Sequence, residues 1–142
     1  MNLALEQAKL AEKIGEVPVG AVIVKNSKLI STGYNHSIAR HDPSGHAEIV
    51  ALRSACQLLE NYRLIDCDLY VTLEPCMMCL GALIHARIKR LYFAASDPKT
   101  GSLGGLVDLA KIYQTNHRIE IIPQILSKPC SELLKFFFKS RR

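Results

Sequence analysis

No apolar run in the sequence approaches the roughly 20 residues that a helix needs to cross a bilayer. The opening residues, MNLALEQAKLAEK, scatter charge through their apolar positions, which a secretory signal does not do. Both absences lead to the expectation of a cytoplasmic protein without membrane contact. No internal repeat, low-complexity tract or linker is visible either, so the 142 residues are expected to form one domain, 1–142. The cysteine count makes a disulfide framework an unfavoured reading. Five is an odd number, and without a secretion signal reduced thiols or metal ligation are the better readings. Acidic residues are in deficit, thirteen against eighteen Lys and Arg, which leaves a net charge of +5 and favours approach to a polyanion such as RNA. That balance alone is weak, since many basic proteins bind no nucleic acid. The composition is otherwise ordinary, 49% hydrophobic and 22% charged, which excludes a disordered or fibrous chain and provides for a core.

Residues 2–14 read as a helix stopped by Gly15. Strands are expected at 19–24 and 29–34, flanking a polar hairpin loop of Lys25, Asn26, Ser27 and Lys28. The stretch Asn35 to Gly45 is a loop, and a second helix runs from about His46 to Leu59. Alternation over Leu69, Val71 and Leu73 predicts a strand, and Pro75 then sits in the first turn of a third helix that reaches His85. A strand at 90–95, a loop at 96–105, a short helix at 106–113, a strand at 118–126 and a closing helix at 129–140 follow. Strands interleaved with helices predict a three-layer α/β/α domain.

Within this frame His46, Cys76 and Cys79 form a metal-ligand set. Zinc takes His nitrogen and Cys sulfur, and a catalytic site supplies three protein ligands while leaving a fourth position for water. Cysteines three residues apart on one helix share a face. Both ligand groups begin helices, where free N–H groups and the helix dipole favour thiolate over thiol. Glu48, beside such a water, can take a proton and return it, although its place in the first turn also suits a fourth ligand or an acid that compensates the helix dipole. Alone, Cys76-x-x-Cys79 reads equally as a redox pair, half of a structural zinc site or two buried thiols. A closed structural site needs a fourth ligand, and Cys56 lies about 15 Å along the predicted helix from His46. Cys67 and Cys130 lack a paired spacing and read as small core hydrophobes.

His46-Ala47-Glu48 together with Pro75-Cys76-Met77-Met78-Cys79 resembles the signature of the cytidine and purine deaminase superfamily. Over nearly its full length the chain more closely resembles the bacterial tRNA-specific adenosine deaminase family. The carrying stretches are Glu16 to Val22, Gly33-Tyr34-Asn35, Arg40 to Pro43, His46 to Ile49, Asn61 to Leu64, Thr72 to Cys76 and Asp97 to Gly101. The resemblance implies a cytidine deaminase-like fold with a central mixed five-stranded sheet, one zinc per subunit, and conversion of wobble adenosine to inosine in a tRNA anticodon stem-loop, commonly by a homodimer. It also implies substrate contacts at Asn35 and Ala47, and at Asp97, Lys99, Thr100 and Gly101. Further RNA-facing positions by the same resemblance are Asn116, His117, Phe137, Phe138 and Arg141. In the closing segment 135–142, Phe136 departs from the family pattern, where a polar or acidic residue is frequent, and the chain stops early. Aromatics among basic residues suit single-stranded RNA and a core equally. Two other readings stand beside this one: a deaminase of a free nucleobase or nucleoside of guanine or cytosine type, and a noncatalytic RNA-binding partner with structural zinc, which leaves Glu48 unexplained.

Overall fold

The fold follows from where short and apolar residues recur. The computed structural model describes residues 1–112 and 114–141. Helix α1 (Asn2–Lys13) buries a stripe of Ala4, Ala8 and Ala11, whose small side chains let it lie close against strand β1 (Gly20–Lys25). Strand β2 (Lys28–Tyr34) returns beside β1 in an antiparallel hairpin. The expected four-residue loop is only a two-residue turn, because Lys25 pairs with Lys28 while Asn26 and Ser27 take positive φ of 49° and 60°. Such a turn matches the right-handed twist of the flanking strands.

Helix α2 (Ala47–Leu58) packs on the opposite face from α1, and its approach is set by Gly33, where a Cβ would overlap the Ala47 carbonyl and the Ala51 amide. The Ser31 hydroxyl also donates to the Ala51 carbonyl at 2.8 Å, so α2 is held along β2 by backbone contact. Strand β3 (Cys67–Leu73), helix α3 (Met77–His85) and strand β4 (Arg90–Ala95) form a parallel crossover. Helix α4 (Leu109–Ile112), strand β5 (Glu120–Ile122) and helix α5 (Ser127–Lys139) complete the chain. The short helix begins at Leu109 rather than at 106, and its expected end, Tyr113, lies outside the described residues, as does Arg142.

The sheet order is β2-β1-β3-β4-β5, with β1 antiparallel to both neighbours and β3, β4 and β5 mutually parallel. Helices cover both faces, so the expected three-layer α/β/α arrangement around a mixed five-stranded sheet is the one observed. Since β1 is the single reversed strand, β2, β3 and β4 all release the chain at one end of the sheet. There the loops after Tyr34, Leu73 and Ala95 converge, the usual place for a ligand site in an open α/β sheet.

Ile23, Leu69 and Leu91 are register partners across three strands, all 0% exposed, and form a central row of the core. Leu69→Ala removes the middle of that row and is expected to cost about 2–5 kcal/mol, read as a lowered denaturation midpoint in urea. A loss below about 1 kcal/mol would mean that the neighbours close the gap.

Candidate active site

The first groups at the convergent end are two helix starts. His46 is the N-cap of α2 and Cys76 the N-cap of α3, both with extended backbone angles, so each side chain stands at the tip of its helix. Proline at 75 was expected in the first helical turn. It precedes the N-cap instead, because Cys76 occupies the capping position and pairs with Gly101 in a short bridge. Cys79 is the third residue of α3 and is fully buried.

The ligand atoms of His46, Cys76 and Cys79 all lie within 4.8 Å of one another. His46 Nδ1 is 3.7 Å from Cys76 Sγ and 3.5 Å from Cys79 Sγ. A tetrahedral zinc with Zn–S near 2.3 Å and Zn–N near 2.05 Å separates its nitrogen and sulfur ligands by about 3.6 Å. The three residues therefore fit that ion in spacing and in donor chemistry. Cys56, Cys67 and Cys130 are free thiols outside this cluster.

The electrostatics agree with a cation site. The hydrogen bond from Cys79 pulls the Cys76 thiol down to about 4, and that same bond together with burial pushes Cys79 up. A cation bound at the two sulfurs would displace the proton of that hydrogen bond. His46 is raised, chiefly by its hydrogen bond with Cys76. Glu48, second residue of α2 and only 3% exposed, has its carboxyl pushed up to about 7 by burial. A carboxyl poised near neutrality beside a metal cluster can both take and return a proton.

Around this centre the structure orders the remaining expected residues by distance along the sheet. Asn35, just past β2, accepts the Ala47 N–H on Oδ1 at 2.9 Å, which satisfies a free donor of α2 and leaves the Asn35 NH2 as a donor for a ligand. Ala47 itself is 0% exposed. The loop after β4 lies against Cys76 through Gly101 and through Ser102, whose backbone and hydroxyl both donate to the Pro75 carbonyl. Asp97 shapes its outer turn by accepting from Lys99 N and Thr100 Oγ1. Phe138 is half exposed with Lys99 Nζ 6.0 Å from its ring centre, so the tip of α5 adjoins this loop.

Three other residues expected to face RNA lie away from the metal cluster or beneath the surface. Phe137 is 5% exposed, its ring covered by the Arg141 guanidinium at 4.2 Å, so it supports the α5 tip from inside. Asn116 and His117 are not brought to the centre. The Asn116 carbonyl accepts from Arg87, and His117 Nε2 meets the Ile88 carbonyl at 2.7 Å, ahead of β4 and β5. A strand the length of β4 separates that end from the metal cluster, about 20 Å.

Two buried acids, Glu16 and Glu74, were given no role by the sequence reading. Glu16, 1% exposed, accepts the Ala39 N–H at 2.7 Å and pins the loop that carries the chain from Asn35 to His46. Its signal was slight, a lone acid between a helix and a strand.

Two helix tips presenting histidine and paired cysteines over the strand ends of a mixed sheet, with a buried glutamate beside them, define a zinc-dependent deaminase of cytidine deaminase-like fold. The MafB19-like deaminase family model matches residues 1–142. The chain is 50% identical to the tRNA-specific adenosine deaminase of Haemophilus influenzae over 100% of its own length and 83% of that protein. A solved structure of the tRNA:A34 deaminases that carry out A-to-I editing at the wobble position is 39% identical, with a TM-score of 0.88 over 94% of this chain and 97% of that one. Guanine deaminase from Bacillus subtilis is also similar, 34% identical with a TM-score of 0.66 over 95% and 89%. This chain belongs to the tRNA-specific adenosine deaminase family.

Proposed function

We propose that the protein, acting as one domain, hydrolyses the wobble adenosine of a tRNA anticodon loop to inosine and ammonia. The observation that carries the reading is the His46, Cys76 and Cys79 triangle with Glu48 buried beside it, in a chain half identical to a tRNA-specific adenosine deaminase. His46, Cys76 and Cys79 would hold zinc, one per subunit, which lowers the pKa of a water toward neutrality and so supplies the nucleophile. Glu48 accepts a proton on its carboxylate, passes it to adenine N1, and carries the next proton to the departing amine as C6 gains oxygen and loses nitrogen. The Asn35 NH2 donates to the flipped base, and the Ala47 backbone closes the pocket beneath it.

Single-stranded loops present bases already unstacked, so extrusion costs less than it does from a duplex. Lys99 and Thr100, with Asp97 and Gly101 shaping their turn, meet the anticodon backbone, and Phe138 and Arg141 extend that surface along α5. The net charge of +5 supports recruitment of RNA. A homodimer is supported by the outward face of α3, where Met77 is 63% exposed and lines a 730 Å³ groove whose wall is part apolar, with Leu80, Ile84 and Ile121, and part polar, with Lys111 and Arg118. Among the described residues no helix is long and apolar enough to cross a membrane. A cytoplasmic location suits a tRNA substrate.

The test is inosine formation by zinc-loaded protein on an anticodon stem-loop with wobble adenosine, beside free adenosine, guanine and cytidine. Conversion is expected on the stem-loop alone. Turnover of free guanine in its place would move the protein to the activity named for the Bacillus subtilis enzyme, and no turnover at all would leave a binding role.

A further inference from the structure

We infer that Glu74 is a positioning residue that locks the RNA-facing loop to the strand end bearing Cys76. Its side chain is 3% exposed and sits between β3 and Pro75. Three backbone N–H groups from one loop converge on its two oxygens. Asp97 N donates to Oε2 at 2.9 Å, while Leu103 N and Gly105 N donate to Oε1 at 2.7 and 2.9 Å. Glu74 N in turn donates to the Ala95 carbonyl at 2.8 Å, which ties the residue to the last position of β4. The carboxylate therefore fills the inside of the loop from 97 to 105, while the Ser102 bonds to the Pro75 carbonyl and the Cys76–Gly101 bridge hold the middle of the loop.

The space around it is fitted to the same purpose. A Cβ at Gly105 would overlap the Asp97 carbonyl and the Glu74 carboxylate, so the loop backbone wraps the acid at contact distance. On the outer side of the same turn Asp97, Lys99 and Thr100 hold the geometry assigned above to anticodon contact. One buried acid thus ties both ends of the loop, at 97 and at 103–105, to the strand end, with no side-chain contact to a ligand. The inference rests on the reading of that loop as RNA-facing.

A substitution of nearly equal shape at Glu74 tests it. In Glu74→Gln the amide nitrogen can only donate, so whichever way the amide turns, at least one loop N–H faces another donor. The loop is expected to loosen, with KM for the stem-loop rising about tenfold or more, since buried N–H groups bonded to a charged acceptor lose more than neutral ones. kcat should fall by less than KM rises, and zinc content should stay at the parent value. Gly105→Ala, which crowds the same carboxylate from the other side, should give the same split. Amide hydrogen exchange of Asp97, Leu103 and Gly105 is the readout independent of substrate, and their protection is expected to drop in both variants relative to β3 amides.

Retained protection at these amides in Glu74→Gln overturns the inference. So does a fall in kcat at constant KM, the result of a smaller folded fraction with an intact loop. A parent protein inactive on the stem-loop sinks the proposed substrate, while the exchange measurement still decides whether Glu74 anchors the loop.

Discussion

Glu48→Ala is expected to lower kcat for inosine formation by about a thousandfold or more while zinc content and Tm hold. The size follows from the lack of a substitute. Glu48 is buried beside the metal cluster, and its carboxyl is pushed up to about 7 by that burial, so it holds or releases a proton near neutral pH. The other ionisable groups at the centre are the His46, Cys76 and Cys79 cluster, which zinc ligation occupies. Stability should not suffer, because the variant removes a carboxyl whose burial carries a desolvation cost. Steady-state kinetics on the stem-loop, metal analysis and thermal melting check the three parts. A variant that deaminates at the parental rate would remove Glu48 from the mechanism, and one that loses zinc would make it a structural residue.

The second large effect concerns the metal. In Cys79→Ser the site keeps His46 and Cys76 but loses its fully buried sulfur, leaving two strong protein ligands where a catalytic zinc takes three. Zinc content after dialysis is expected to fall from about one per chain toward zero, and inosine formation to fall to background. Because zinc binding is linked to folding, the Tm of the variant should also drop and no longer respond to added zinc. Cys56→Ser is the matched control, since Cys56 lies outside the cluster and should change neither quantity. One zinc retained by Cys79→Ser would place the metal elsewhere.

The legibility of this site in the sequence has a plain cause. Helix starts advertise themselves locally, through a polar loop followed by apolar periodicity, and the metal chemistry is concentrated at two of them. His46 and Glu48 fall in one such start, and Cys76 and Cys79 in the other. Where Phe137, Asn116 and His117 sit was harder to read. Whether a ring on α5 faces inward depends on how that amphipathic helix docks on β4, and residues 136, 137 and 138 are consecutive in a chain that gives all three the same side chain. Asn116 and His117 lie just ahead of β5, so the parallel direction of that strand decides which end of the sheet they occupy. Glu16 and Glu74 were obscure for a related reason: what makes them important is a set of backbone donors from distant loops, and backbone donors are the same in every sequence.

By itself the sequence determined the residue types that can bind zinc, the acid that can move protons, the interleaving of strands and helices, and the family. Those depend on side-chain chemistry and on periodicities a few residues long. Only the tertiary structure decided that positions thirty residues apart lie within ligand distance, since that requires β1 to be the one reversed strand and both helix tips to emerge at the same sheet end. It decided equally which aromatic near the tip of α5 is buried and which buried acids hold the loops, because burial and long-range hydrogen bonds are properties of the packed chain.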